Sequence, residues 1–289
     1  MEPSPFVRVG PRHKPVDQRE PGVRYRGLCK PLRRAFYPSY RYVREQQHTP
    51  TEDQHTTQRR SRRTPRQGRL HGQAVDAALT EYTRAPTVAA RNRVHARITP
   101  YARRAVDVLE RHQYRLAHTQ VGVGSEWLDG HRVCLYTAID IACTTRIVPV
   151  PMRSESREVK GGLGAARGAG APVWFVVEVK ACESVYYERP SFVWDRVTRR
   201  TRPRTMLPPY QDQLDHPRNQ HQLQLGFTLR LARATFPDLP IAGAFVLRVH
   251  AGGEQTYPLE SWVLDPTRLP KALAALGKRP RVRARAAPP

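Results

Sequence analysis

The sequence predicts a mixed α/β (α+β) core held between two basic extensions, and three observations predict it. Two segments, RVCLYTAIDIACT and PVWFVVEVKA, have near-continuous apolar runs of the length expected for strands buried on both faces. Segments with apolar residues at helical spacing precede and follow them. Before residue 68 and after residue 270 the composition turns basic and loses sustained periodicity. One domain over 68–270 is the expectation.

Taken in order, residues 1–67 read as a largely disordered arm rich in Pro, Arg, Gln and Thr. Its cluster of Arg59, Arg60, Arg62, Arg63 and Arg66 has too few apolar neighbours to fold alone, and is assigned to solvent or to phosphates. Within the arm, YRGLCKPLRRAFYPSYRYVREQQ interleaves aromatics with Arg and Lys. Docking on the core is favoured over stacking on bases, because aromatic residues seldom stay free. From Gly68, the positions of Leu70, Ala74, Val75, Ala78, Leu79 and Tyr82 make one amphipathic helix. A second helical segment over 87–112 is interrupted at Pro100, which lacks an amide donor.

Three β-rich segments follow: YRLAHTQVGVG and the two apolar runs already named. A Gly/Ala-rich insertion at 152–172 separates the last two and reads as a loop. The polar, Pro-rich stretch 189–218 has no predicted element. NQHQLQLGFTLRLARATF reads as a helix stopped by Pro237, and IAGAFVLRVHAG and TYPLESWVL read as strands joined through Gly252-Gly253. Residues 271–289 read as a disordered basic tail that binds nucleic acid or serves nuclear import.

Composition narrows the function classes. Among 289 residues, 49 Lys and Arg stand against 25 Asp and Glu, a formal net charge of +24. That disfavours most small-metabolite enzymes and favours a polyanionic partner. No stretch approaches the ~20 consecutive apolar residues of a membrane span, and the first residues contain no apolar h-region. The expectation is a soluble, intracellular protein without a membrane partner, the basic tail allowing the nucleus. Cys29, Cys134, Cys143 and Cys182 include no C-x-x-C pair, so neither a disulfide framework nor a zinc site is expected, and the thiols read as small core residues. The absence of a Walker-type loop argues against nucleotide binding.

Two of the apolar strands place charge where an apolar residue would be cheaper. Asp140 sits between Ile139 and Ile141, and Glu178 and Lys180 follow the run Trp174 to Val177. Burying an unpaired charge costs several kcal/mol, so such residues need partners. Strand side chains alternate faces, so Glu178 and Lys180 point the same way. If the Asp140 strand is their neighbour, three charges share one face. Two carboxylates there suit Mg²⁺ or Mn²⁺, with the main-chain carbonyl of Val179 a further oxygen ligand. On the later helix Gln220 and Gln224 are one turn apart, fit to hydrogen-bond a phosphodiester backbone. The glutamines at 220, 222 and 224 cannot all serve the site, so at least one is expected to be merely exposed, with Gln224 the first candidate and Gln220 the second.

Asp140 followed by Glu178-Val179-Lys180 resembles the PD-(D/E)XK nuclease superfamily, closest to its RecB-like and lambda-exonuclease-like branch and the related nucleases of large double-stranded DNA viruses. Gly72-Gln73-Ala74-Val75-Asp76 resembles that branch's first helical motif, with Asp76 where His is usual. His221-Gln222-Leu223-Gln224-Leu225 resembles its last, with Gln224 as the matching glutamine and Thr228 where many relatives have Tyr. The likeness covers 70 to 265, and the Gly/Ala insertion accounts for the long separation of Asp140 from Glu178.

The resemblance implies a restriction-endonuclease-like core, with a metal held by Asp140, Glu178, the Val179 carbonyl and Asp76. Its catalytic residues would be Asp140, Glu178, Lys180 and Gln224. Glu81 and His71 are weaker candidates on the Asp76 helix. No iron–sulfur cluster is expected, because nothing follows Cys182. The resulting expectation is a Mg²⁺- or Mn²⁺-dependent DNA nuclease of recombination, repair or genome processing, possible on RNA as well. Gln220 and the arm arginines would bind substrate. The competing expectation is a non-catalytic DNA-binding or packaging protein on the same core.

Overall fold

The computed structural model describes residues 26–38, 65–145, 172–182, 187–190, 192–195 and 198–277. In order, the elements are β1 (Arg26–Gly27), α1 (Cys29–Phe36), α2 (Pro65–Arg84), α3 (Val88–Arg97), α4 (Pro100–Arg111), β2 (Arg115–Leu128), β3 (His131–Thr145) and β4 (Val173–Ala181). They continue with β5 (Phe192–Asp195), β6 (Arg200–Pro203), α5 (Pro217–Thr235), β7 (Ile241–His250), β8 (Gly253–Pro258), a 3-10 turn (Ser261–Val263) and α6 (Leu269–Gly277). A mixed sheet of six strands flanked by helices forms the centre.

The long hairpin β2–β3 is the backbone of that sheet. It turns at Asp129-Gly130, with φ of 47° and 78°, as a two-residue hairpin turn requires. β2 covers one edge of β3 from Thr144 to His131. The other edge is shared end to end: β4 pairs with Ile141 to Thr145, and β1 pairs with Leu135 and Tyr136. Residues 137–140 fall between the two. Beyond β4 the sheet continues with β7 in parallel and β8 antiparallel.

Alternation along the central strands separates two cores. Val177, Val179, Leu247 and Val249 face α2, α3 and α4, against Val75, Leu79, Val106 and Leu109. Val176, Ala244 and Val246 face α1, α5 and α6, against Leu32, Leu223, Phe227 and Leu273. Each fully buried aliphatic or aromatic side chain contributes about 1.5–3 kcal/mol, so both layers are held by the same non-directional force. The rotation of α5 is specified more tightly. A Cβ at Gly226 would stand 2.0 Å from Cγ1 of Val263, so only glycine lets the helix approach the 3-10 turn this closely.

Several boundaries differ from the sequence expectation for local reasons. Pro100 does not kink one helix but opens a new one: it occupies the first turn of α4, where its missing amide is harmless, and the Thr99 side chain caps Ala102. Thr87 caps α3 in the same way, accepting from Ala90 at 3.1 Å. α2 begins at Pro65, so Arg66 belongs to a helix rather than to the arm. The described part of the aromatic segment, 26–38, docks: Leu28, Leu32 and Phe36 are buried in the α5-side core, and the rest of the segment lies outside the described residues. The tail expected from 271 is folded as far as Gly277, because Leu269, Ala272, Leu273 and Leu276 form a buried stripe. The stretch 189–218 contains the small hairpin β5–β6. The 152–171 part of the Gly/Ala insertion lies outside the described residues. Among the described residues no helix is long and apolar enough to cross a membrane.

Candidate active site

Pairing of β3 with β4 runs from Thr145↔Val173 to Ile141↔Val177 and stops there. The next pair would be Asp140 opposite Glu178, and opposed residues of an antiparallel pair share a face. In place of a ladder bond, Oδ2 of Asp140 accepts the backbone N–H of Val179 at 2.9 Å. The opposite edge of β3 is disturbed at the same level. Gln120 lies between Thr119↔Ile141 and Val121↔Ile139 and has φ 51°, a left-handed conformation that costs a non-glycine residue energy. The sheet is therefore irregular on both sides of the aspartate, and only tertiary packing can hold it so.

Glu178 is 2% exposed, a carboxylate inside a hydrophobic layer. It is not alone there. Lys180, two residues on and on the same face, donates its Nζ to Oε1 of Glu178. Nε2 of Gln224 donates to the same oxygen at 2.7 Å. One turn further along α5, the buried Thr228 hydroxyl donates to the Gln224 carbonyl at 3.0 Å, tying the helix down where the glutamine leaves it. Charge-assisted bonds of this kind are the stronger class and fix the orientation of the carboxylate.

The electrostatics follow from crowding acids in a dry place. Loss of solvent pushes Asp140 well above the usual carboxylate range, and the charge of Glu178 pushes the same way. Lys180 opposes it, Asp76 adds to it, and the Val179 amide again lowers it. Desolvation pulls Lys180 down, but Glu178 and Asp140 outweigh it and hold the ammonium above its ordinary value. His221 is pushed well below 6.5 by burial, then by the charges of Lys180 and Arg33.

The structure brings Asp140, Glu178, Lys180 and Gln224 together as the sequence suggested, and separates other candidates. Asp76 is near enough to act on Asp140 by charge. Yet among the described residues no three His, Cys, Asp or Glu side chains converge on a metal position. Glu81 is turned away to Arg97, and His71 packs edge-on against Tyr101 with ring centroids 4.5 Å apart. Gln220 donates to Asp215 at 2.8 Å. Val179 meets Asp140 through its N–H.

None of the three glutamines is exposed, against the expectation that at least one would be: Gln222 is fully buried, donating to the Pro258 carbonyl at 3.0 Å and accepting from the Glu260 amide at 3.1 Å, because the end of β8 supplies it with partners. Of the four thiols only Cys143 is a buried core residue, and all four are free. Arg59, Arg60, Arg62 and Arg63 lie outside the described residues, and of Arg66 only the backbone is described.

Four further residues surround the site without a sequence signal strong enough to name them. His221 precedes Gln224 by one turn and sits 3.1 Å from the Tyr187 hydroxyl. Cys29, at the start of α1, is exposed as a residue, but its thiol is pushed up by desolvation and then by Glu178. Arg33, one turn later, acts by charge on both Cys29 and His221. Tyr187 is buried beneath the Arg248 guanidinium, 4.8 Å from its ring centroid. For Cys29 and Arg33 the signal was the basic, aromatic segment around α1, which the sequence could place on the core but not at this position; Tyr187 carried none.

A divalent ion of the oxygen-preferring kind fits this donor set. Two carboxylates face one another where the strands part, and Mg²⁺ typically takes one or two carboxylates and completes its shell with water and phosphate. Fold and site together define a mixed α/β protein with an acid–acid–lysine cluster at the end of its central strands. Comparison of the chain with protein-family models, curated proteins and solved structures finds no match.

Proposed function

We propose that the protein is a metal-dependent nuclease of the PD-(D/E)XK type, with a restriction-endonuclease-like core, acting on DNA. The observation that carries the reading is the meeting of Asp140, Glu178 and Lys180 at the point where β3 and β4 stop pairing. Charge in a buried strand is otherwise a liability, and here three charges from two strands share one place. Asp140 and Glu178 would hold the ion, which when bound supplies a lowered pKa for water and neutralises phosphate charge. Lys180, protonated in its pair with Glu178, would donate to a non-bridging phosphate oxygen and orient the attacking water. Gln224 holds Glu178 in place through its amide. Water adds to phosphorus and gives up a proton to solvent, the P–O bond to the leaving sugar oxygen breaks, and that oxygen takes up a proton from solvent.

Digestion of linear and circular DNA with Mg²⁺ tests this. Asp140→Asn and Lys180→Gln are each expected to lose about 10²-fold or more of the rate. Equal cleavage by wild type and both variants would sink the assignment. A second reading, a non-catalytic DNA-binding protein on the same fold, is favoured by the charge of +24 and by the observation that among the described residues no third His, Cys, Asp or Glu side chain joins Asp140 and Glu178 at a metal position. Calorimetric titration of Mg²⁺ or Mn²⁺ separates them: no ion bound and no cleavage leaves the binding reading.

A further inference from the structure

The hairpin β5–β6 stands apart from the main sheet and exposes what a folded domain normally hides. Phe192 is 58% exposed and Trp194 59%. They are two residues apart on one strand and so share a face, with Pro203 and Thr201 as their cross-strand partners. All of β6 is exposed; Arg200 and Arg202 are the cross-strand partners of Asp195 and Val193, on the ribbon face opposite the rings, and Arg199 precedes them in the turn. A two-stranded ribbon is marginal in water, and two large exposed rings on it mark an interaction surface.

The incoming root of the hairpin is tied to the helix that carries the candidate site, and the outgoing root to α1. On the incoming side Tyr187 holds His221, its carbonyl accepts the Arg218 amide at 3.0 Å, and Glu188 pairs with Arg218 at 3.3 Å. On the outgoing side Met206 is buried in the core, and the Leu207 amide donates to the Phe36 carbonyl of α1 at 2.9 Å. The ribbon thus projects from the frame that carries His221 and Gln224.

We infer that β5–β6 is a stacking platform for an unpaired nucleic-acid strand leading to the Asp140–Glu178–Lys180 site. Alternate residues on a strand lie about 6.6 Å apart, which suits successive unstacked bases on Phe192 and Trp194. A duplex keeps its base faces covered, so the rings discriminate in favour of single strands. Arg199, Arg200 and Arg202 add positive charge to the same ribbon, and the charge of +24 is complementary to such a ligand. The inference rests on the nuclease reading for the nature of the polyanion.

The test measures binding of the full chain, in EDTA, to an oligothymidine and to a closed circular duplex. The variants are Phe192→Ala/Trp194→Ala and the conservative Trp194→Phe, with thermal melts to show that all remain folded. The double variant is expected to lose about tenfold or more in affinity for oligothymidine, with duplex binding within threefold of wild type, and Trp194→Phe to retain most of it. Unchanged oligothymidine binding in the double variant, in a protein that still cuts DNA with Mg²⁺, overturns the platform and leaves the nuclease reading standing. Equal weakening toward both DNA forms also overturns the platform. A wild type that binds neither DNA form removes both, as does binding to anionic lipid vesicles instead.

Discussion

The two faces of the central sheet are built to different rules. On the α2–α4 face the interior is apolar, and charges sit at the rim, where Glu81 meets Arg97 and His95 meets Asp107 at 2.6 Å. On the α5 side Glu178, Asp215, His216, Asn219, Gln222, Thr228 and Arg248 are all buried. Burying polar groups is tolerated there because partners are supplied: Asn219 reaches the Leu214 carbonyl at 3.0 Å, and Gln222 ties α5 to the end of β8. One face is a foundation that needs only volume. The other holds its side chains in defined orientations, which is what the proposed chemistry at the strand ends would require.

If that division is right, damage to the first face should cost stability alone. Leu109→Ala, at a position 1% exposed, is expected to lower unfolding free energy by about 2–5 kcal/mol. On the proposed nuclease reading, cleavage per folded molecule should stay at the wild-type level, measured by denaturant titration beside a digestion assay. A loss of specific activity would break the comparison.

Overpacking on the α5 side should do both kinds of damage. Gly226→Ala drives a methyl into Val263 and is expected to cost about 1–3 kcal/mol. It should also weaken cleavage, because α5 carries Gln224 to Glu178. Wild-type activity in the folded variant would show that the rotation of α5 is not needed by the site.

Acid should act through the α5 side as well. Burial lowers the pKa of His221, and desolvation lowers that of His216, so the folded protein resists protons that the unfolded chain accepts near pH 6.5. Their contribution is complete above pH 6.5 and is lost as pH falls below it. Denaturation at pH 7.5 and pH 5.5 should show this loss in wild type and a smaller one in His221→Gln. The smallest expected effect is on the foundation: Gly72 has open space around it, so Gly72→Ala should be neutral or gain up to about 1 kcal/mol by helix propensity. A destabilised Gly72→Ala would mean that α2 has a contact at this position.

The parts legible in the sequence are those with a strong local pattern. β3 and β4 announced themselves as apolar runs, and Asp140, Glu178 and Lys180 as charges inside them. The hairpin β5–β6 was missed because four-residue strands between prolines and arginines carry too few positions to show alternation. α6 was missed because the basic residues beyond it dominate the composition, although its own buried stripe lies in Leu269, Ala272, Leu273 and Leu276. Of the three glutamines on α5, spacing alone did not separate one from another, and Gln224 stood out only through the resemblance. All are polar at similar spacing, and the choice lies in what stands opposite each.

By itself the sequence determined the periodicities, and with them which residues of each strand share a face and which charges would be stranded among apolar neighbours. Tertiary structure alone decided where β3 and β4 stop pairing, so that Asp140 meets Glu178 instead of a backbone partner. It also set the turn of α5 that gives Gln224 to Glu178 and Gln222 to Pro258. The physical reason is range. Alternation and helical spacing are written in neighbouring residues, whereas register and helix rotation come from contacts such as Gly226 against Val263, between segments that carry no local trace of one another.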